Sequence, residues 1–201
     1  MTNLETIIHR SNCFKLLAAC FYEPDKQLFT EEKVTSNLCE MLGYLEPELS
    51  VIAGDLKSAF ESSSEEQLKV DYAALFVGPF ELLAAPYGSV YLEAGARVLG
   101  ESTLAVQNFY EEAGLSLDIQ EPADHVAIEL EFMHYLATQE AEAASAGQET
   151  DVEDLRSMQA QFLNQFMTWV PEFCERIEKG ATADYYTYLG QCLIAFFMYC
   201  K

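Results

Sequence analysis

The fold class is decided by the stretch that runs from Glu121 to His134, EPADHVAIELEFMH. A helix turns by about 100° per residue, which places four apolar side chains of this region on one stripe: Val126, Leu130, Met133 and Ala137. Such a stripe predicts a helix that packs against a core. Pro122 suits the first turn of this helix, and the pattern continues to about Ala143.

Helix caps, prolines and glycines divide the rest of the chain into similar apolar-periodic runs. Thr2 with Glu5, and Ser64 with Gln67, have the pattern of capping boxes, which mark helix starts. The predicted helices cover residues 2–22, 30–42, 46–62, 64–76, 101–112, 122–143, 151–169, 171–180 and 182–199. There is no alternating strand pattern and no internal repeat. The sequence therefore predicts an all-α, single-domain helical bundle of about nine or ten helices over residues 1–201.

The charge balance is the most unusual property of the composition. The 201 residues include 33 acidic and 11 basic ones, which gives a formal net charge of -22. Nucleic-acid binding depends on Lys and Arg contacts with phosphates, so the chain is a poor candidate for it, and anionic membranes are equally unfavourable. The field would instead attract cations or a basic polypeptide, although the acidity is also explained by solubility alone.

The cysteines and the apolar segments point to a reducing compartment. None of the six cysteines forms a C-x-x-C pair, and buried, reduced thiols are the expectation. The first residues lack the basic-then-apolar pattern of a secretion signal. No apolar run approaches the roughly 20 residues of a membrane span. We therefore expect a cytoplasmic protein without stable membrane insertion.

Two neighbouring segments are rich in aromatic side chains, one at the end of the helix predicted over 64–76 and the other directly after it. The irregular stretch 79–99 holds two prolines and three aromatic residues, so it should pack on the protein and is a candidate for function. Directly before it, Tyr72, Leu75 and Phe76 share one helix face. That face is either core or one wall of an apolar groove.

His125 is the centre of the candidate chemistry. It is expected at the boundary of its helix, flanked by Glu121 and Glu129 one turn away and by Asp124 beside it. A neighbouring carboxylate would favour the protonated imidazole. Three interpretations stay open at this point: a structural histidine at a helix start, a metal site, and a site for a cationic or hydrogen-bonding ligand.

The metal interpretation draws on Glu131-x-x-His134, which matches half of a di-iron bundle motif. A helical metal-binding protein or enzyme would use Glu121, His125, Glu129 and His134. However, the second Glu-x-x-His that such a site needs is missing, because Glu5 lies four residues before His9 rather than three. Phosphate-loop, dinucleotide-binding and nucleophile-elbow motifs are also absent. We therefore expect no catalytic centre and no cofactor.

Three blocks of sequence, in this order and spacing, resemble the TorD/DmsD-type family of molybdoenzyme maturation chaperones. The first is YAALFVGP at residues 72–79, and the second is PYGSVYLE at residues 86–93. The third is the E-x-x-D-H-x-x-x-E pattern formed by Glu121, Asp124, His125 and Glu129. Together with a weaker block at residues 162–189, they span nearly the whole chain.

The resemblance implies an all-helical chaperone, monomeric or a domain-swapped dimer, without enzymatic turnover. Its partner would be the catalytic subunit of a molybdopterin oxidoreductase, or the twin-arginine signal peptide of that subunit. A partly buried Asp124 would pair with a peptide arginine. The partner-binding residues implied by the three blocks are Tyr72, Leu75, Phe76, Pro86, Tyr87, Ser89, Glu121, Asp124, His125 and Glu129.

Overall fold

The computed structural model describes residues 4–78, 82–95, 97–116 and 121–201. These residues form eleven α-helices and, directly after α5, one π-helical turn at Ala73–Val77. The helices are α1 (Leu4–Cys20), α2 (Lys26–Glu31), α3 (Val34–Leu45), α4 (Pro47–Ser62), α5 (Glu65–Tyr72), α6 (Ser89–Leu92), α7 (Glu101–Glu112), α8 (Val126–Ala146), α9 (Glu149–Gln165), α10 (Val170–Gly180) and α11 (Asp184–Cys200). No strand occurs in the described ranges, so the all-α prediction is confirmed.

Eleven α-helices form where nine helical segments were predicted, and the two additions have local causes. The segment predicted as one helix over 30–42 is divided by Lys33, whose backbone is left-handed with φ 53°. Asp25 caps the earlier helix by accepting a hydrogen bond from the Leu28 amide at 2.9 Å. The second addition, α6, is a single turn within the aromatic-rich stretch.

The start of α8 was wrongly predicted. The helix begins at Val126, and His125 is its N-cap, with Nδ1 accepting from the Ala127 amide at 3.2 Å. The proline at position 122 therefore lies in a preceding turn, where its carbonyl accepts from the His125 amide at 3.0 Å. This turn, rather than a first helical turn, carries Asp124.

The helices bury one contiguous apolar core. The central helix α1 packs on α3 and α8, α4 packs on α3 and α11, and α10 packs on α11. Phe14 of α1 meets Phe196 of α11 edge-on, with ring centroids 4.8 Å apart. All six cysteines are free thiols, and four are buried: Cys13, Cys20, Cys174 and Cys192. Within the described residues, no helix is both long and apolar enough for a membrane span.

Buried carboxylates fix how the helices meet. Asp71 at the end of α5 accepts hydrogen bonds from the Thr182 amide, the Thr182 hydroxyl and the Ala183 amide, at 2.7 to 3.1 Å. It therefore caps the entry to α11 from another helix. Glu140 of α8 is bonded by Arg10 of α1 and by Arg156 of α9, which ties three helices together.

Candidate partner-binding site

The segment 86–89 is fastened along the turn that precedes α8. The Val126 amide donates to the Pro86 carbonyl at 2.8 Å, and the Gly88 amide donates to the Asp124 carbonyl at 2.9 Å. The Asp124 carboxylate accepts the Ser89 amide at 2.6 Å. Tyr87 and His125 form an isolated antiparallel bridge between the two segments. The second and third sequence blocks thus form a single structural unit.

Trp169, the only tryptophan of the chain, packs against this unit. Its indole Nε1 donates to Glu129 Oε2 at 3.2 Å, and the Tyr91 ring stacks on it at 5.2 Å. A Cβ added to Gly88 would lie 2.7 Å from the same Nε1. The close approach of the two chain segments therefore requires glycine at this position.

The His125 ring is buried between two tyrosines that reach the protein surface. Tyr22 lies nearly parallel to it, with an interplanar angle of 15° and ring centroids 6.2 Å apart. Tyr87 meets it edge-on at 5.3 Å. The Tyr22 hydroxyl donates to Glu131 Oε1 at 3.0 Å, and the Tyr87 hydroxyl donates to Glu121 Oε2 at 3.1 Å.

Tyr72 is a third tyrosine that lies near Glu121. The charges of Glu23 and Glu121 both reach its hydroxyl, and its ring meets Phe76 edge-on at 5.4 Å. We call Tyr22, Tyr72, Tyr87, His125, Glu121 and Glu131 the tyrosine–carboxylate cluster. The cluster offers three partly exposed aromatic rings and two exposed carboxylates in one surface region.

The phenols of the cluster remain protonated at neutral pH. Burial, followed by the charge of Glu121, raises the pKa of Tyr87 to about 12. Burial, with Glu23 and Glu121, raises the pKa of Tyr72 to about 12. Burial and the adjacent Glu131 also raise the pKa of Tyr22. Each hydroxyl therefore stays a hydrogen-bond donor.

His125 behaves differently from the expectation. It is only 6% exposed, and burial lowers its pKa more than Glu121 and Asp124 raise it. The prediction of a protonated boundary histidine is therefore wrong, because desolvation outweighs the carboxylates. At neutral pH the ring is an uncharged aromatic surface between the two tyrosines.

A sequence profile described as "Nitrate reductase delta subunit" matches residues 34–175. The chain belongs to this family. It is 29% identical over 138 residues to the protein named "Probable Tat proofreading chaperone DmsD" of Haemophilus influenzae, covering 67% of this chain. It is 28% identical over 138 residues to "Chaperone protein TorD" of Vibrio parahaemolyticus, again covering 67% of this chain. The chain spans 61% and 63% of the lengths of these two relatives.

The fold has a solved counterpart. A crystal structure described as a redox enzyme maturation protein from Archaeoglobus fulgidus aligns with a TM-score of 0.61 and 23% sequence identity. The alignment covers 94% of this chain and 92% of the other. The resemblance to the TorD/DmsD chaperones is confirmed by the family match and the curated relatives.

In this delta-subunit family member, the predicted site residues divide into a surface group and a buried group. Tyr72 and Tyr87 are partly exposed, and Glu121 is exposed. The buried group consists of Leu75, Phe76, Pro86, Ser89, Asp124, His125 and Glu129. The predicted residues are therefore neighbours, but most of them support the surface instead of forming it.

The structure decides the open alternative for the face formed by residues 72–76 and corrects the expected exposure of Asp124. Leu75 and Phe76 are 0% and 3% exposed, and Phe76 packs on Phe21 and Phe173, so of the two alternatives left open for this face these two residues follow the core one. Asp124 is 1% exposed instead of partly buried, because it turns inward to bind the Ser89 amide.

Glu129 is also more buried than its predicted position on a flank of α8. It is 0% exposed, and Trp169, against which Gly88 lies, covers that flank. The periodicity of one helix cannot show how many neighbouring segments cover it.

The sequence argument missed Tyr22 and considered Glu131 only as a metal ligand. Tyr22 lies two residues after the end of α1 and reaches Glu131 across 109 positions of the chain. The one local signal was an aromatic residue between the end of a helix and Pro24.

The residues of the metal-site alternative have separate partners. Nδ1 of His134 lies 2.8 Å from the Ser11 hydroxyl and 3.0 Å from the Ser11 carbonyl. Glu129 binds Trp169, and His125 caps α8. In the part of the chain that the structure describes, no group of three or more His, Cys, Asp or Glu residues is placed to hold a metal ion.

Proposed function

We propose that this protein is a chaperone for the maturation of a molybdopterin-containing oxidoreductase. It binds the twin-arginine signal peptide or the apo core of the catalytic subunit, assists cofactor insertion and proofreads export. The names of the DmsD and TorD relatives support this role. The protein acts by binding and not by catalysis, in the cytoplasm, where the oxidoreductase is folded before export, and as a monomer or domain-swapped dimer.

The tyrosine–carboxylate cluster is the observation that carries the proposal. A guanidinium group is planar, has five donors and stacks on aromatic faces, so arginine is matched by tyrosine rings edged with carboxylates. Glu121 and Glu131 are exposed and can accept such donors beside Tyr22 and Tyr87. The net charge of -22 would steer a basic segment toward the protein.

The role of Asp124 in this proposal is indirect. Its carboxylate is buried and bonded to Ser89, so a direct ion pair with a peptide arginine is not part of the proposal. Asp124 instead holds Tyr87 in position through the 86–89 segment. His125 supplies the uncharged surface against which Tyr22 and Tyr87 are arranged.

Calorimetry with three synthetic peptides tests the proposal. The first contains an arginine pair followed by an apolar run, the second has lysines in place of the arginines, and the third has glutamines. We expect the arginine peptide to bind about tenfold more tightly than the lysine peptide, since stacking and bidentate contacts of roughly 1–2 kcal/mol distinguish the two cations. Affinity should fall with added salt, because the exposed part of the attraction is screened.

A matched control separates the site from general acidity. Tyr44 is an exposed tyrosine whose hydroxyl donates to Glu5 at 2.7 Å, which reproduces the Tyr22–Glu131 pair elsewhere on the surface. Glu131→Gln with Glu121→Gln should weaken binding of the arginine peptide, whereas Glu5→Gln should not. Equal affinity for the arginine and glutamine peptides would contradict the proposed function.

A further inference from the structure

Four exposed apolar side chains lie where α6 is joined to α7. Leu92, Val98, Leu99 and Leu104 are 40%, 42%, 71% and 61% exposed. We call them the Leu99 patch. Apolar surface gains free energy when it is covered, and a contiguous exposed patch marks an interaction site more often than single exposed residues do.

Glu93 fixes the shape of this region. Its Oε1 accepts hydrogen bonds from the Ser102 amide at 2.7 Å and from the Ser102 hydroxyl at 2.5 Å. A Cβ added to Gly100 would overlap the same carboxylate. The end of α6 is therefore held against the start of α7, and the four apolar side chains belong to one preformed unit.

Leu99 has a backbone conformation that leucine rarely adopts. Its φ is 66°, in the left-handed region, and its side chain is the most exposed of the patch. In this region the Cβ atom crowds a carbonyl oxygen, so the conformation persists only where the surrounding structure enforces it. The monomer gains little from a strained leucine that it does not bury, whereas a contact with another molecule would use it.

The patch is an exception to the acidity of the chain. No acidic residue occurs between Glu93 and Glu101, and Arg97 lies in this interval. The side chains of Arg97 and Glu101 are exposed and, within the described ranges, take part in no ion pair or hydrogen bond. The Debye length is about 8 Å at physiological ionic strength, so acids farther than this from a contact are largely screened. Two copies of a chain with a net charge of -22 therefore repel each other less here than at a surface rich in acids.

A twofold contact centred on Leu99 would also pair the local charges. Arg97 lies two residues before Leu99, and Glu101 lies two residues after it. When a surface meets a second copy of itself across a twofold axis, groups on one side of the axis contact the groups on the other side in the partner copy. Arg97 of one protomer would then face Glu101 of its partner, and the reverse pair would form as well.

We propose that the Leu99 patch is a self-association surface through which two monomers form a reversible twofold dimer without exchanging helices. The apolar side chains of the two copies cover each other at the centre, and two Arg97–Glu101 pairs lie at the rim. Permanent dimers bury about 2,000 Å² or more in total, and the patch is small by comparison, so the dimer is weak, with a Kd of about 10–100 µM. The association does not depend on which partner the tyrosine–carboxylate cluster binds.

Sedimentation velocity of the purified chain over a series of concentrations tests the association. Leu99→Asn should raise the dimer Kd at least about tenfold, while its folding equilibrium constant should equal or exceed that of the wild type, because asparagine tolerates a left-handed backbone. Val51→Asn, at another exposed apolar position, should leave the Kd unchanged. A wild type that stays monomeric up to about 0.5 mM, or an unchanged Kd in Leu99→Asn, would overturn the proposal.

An exchange of the two charges tests the twofold arrangement. Arg97→Glu and Glu101→Arg should each raise the Kd about tenfold, since like charges then face each other. Glu101→Arg makes the chain less negative, so general repulsion predicts the opposite result for this variant. The double variant restores opposite charges and keeps the net charge, and it should return the Kd to within about threefold of the wild type. A double variant that associates no better than the single variants would contradict the twofold contact.

Subunit exchange separates this dimer from a domain-swapped one. Two differently labelled samples should exchange subunits within seconds after mixing, because a weak interface dissociates rapidly. A swapped dimer must unfold in part before it exchanges. A dimer that persists in Leu99→Asn and exchanges only over hours would therefore be a swapped one and would overturn the proposal.

Calorimetry with the arginine peptide keeps this proposal distinct from the proposed function. Leu99→Asn should bind the peptide as tightly as the wild type does, since the patch is not part of the tyrosine–carboxylate cluster. If Leu99→Asn lost peptide affinity while the wild type showed no self-association, the patch would belong to the peptide site and the dimer proposal would be wrong.

Discussion

Tyr22 and His125 lie face to face across 103 positions of the chain, with ring centroids 6.2 Å apart and an angle of 15° between the planes. The contact brings the segment after α1 onto the turn before α8. The Tyr22 hydroxyl donates to Glu131 in the second turn of α8. Tyr22 is therefore held at its ring by His125 and at its hydroxyl by Glu131. The long-range packing of α1 on α8 therefore builds the outer wall of the tyrosine–carboxylate cluster.

This geometry predicts a specific role for the Tyr22 ring in binding. Tyr22→Leu removes the aromatic face and should weaken the arginine peptide by roughly 1 kcal/mol, or about fivefold to tenfold in Kd. Tyr22→Phe keeps the face and should retain most of the affinity. Calorimetry with the arginine peptide measures both. A similar loss in Tyr44→Leu, where the exposed ring lies outside the cluster, would refute the assignment.

The lowered pKa of His125 predicts how the stability of the protein depends on pH. Its native pKa lies below the ordinary value of about 6.5, so between the two values the unfolded chain binds a proton that the native protein does not. Unfolding free energy should therefore fall as pH decreases through this window, by up to about 1.4 kcal/mol per pH unit. Urea titrations at several pH values measure the slope.

The matched variant for this prediction is His125→Gln, which cannot titrate. It should have a shallower decline in acid than the wild type. His134 has a pKa that is also lowered by burial, and it contributes the same slope to both proteins. Identical profiles for wild type and His125→Gln would mean that His125 is not desolvated in the native state.

The sequence predicted the helical architecture well because helix periodicity and caps are local. The helix predicted over residues 101–112 matches α7, and Ser64 caps α5 through the Gln67 amide as its capping pattern indicates. The predicted end of α4 at Ser62 also agrees. Each of these features depends on residues within four positions of one another.

The site was harder to predict because it depends on what covers each residue. Periodicity placed Glu129 on a flank of α8, but only the fold shows that Trp169, 40 positions away, covers that flank. The protonation state of His125 reversed for the same reason, since its burial comes from Tyr22 and Tyr87. The family blocks name residues that the fold brings together, whereas the division into surface and supporting residues depends on long-range packing.

Asp124 is predicted to act through the segment that it anchors. Asp124→Ala removes the acceptor of the buried Ser89 amide, and leaving such a group unpaired costs about 1–3 kcal/mol. Asp124→Asn keeps an acceptor oxygen and should cost less. Urea denaturation measures the difference. If alanine and asparagine are equally tolerated, the Ser89 contact does not hold the segment in solution.

Gly88 provides the sharpest steric prediction. Its backbone is right-handed, with φ −57° and ψ −40°, so alanine is excluded there by Trp169 and not by the backbone. Gly88→Ala should destabilise the protein by about 1–3 kcal/mol, as overpacking does, and should shift the Trp169 emission. Gly54→Ala, in α4 with no atom within 4 Å of the new Cβ, should instead stabilise by roughly 0.5–1 kcal/mol. Denaturation curves for Gly88→Ala and Gly54→Ala measure the two changes in stability. If Gly88→Ala leaves both the stability and the Trp169 emission unchanged, the indole does not pack tightly against this segment.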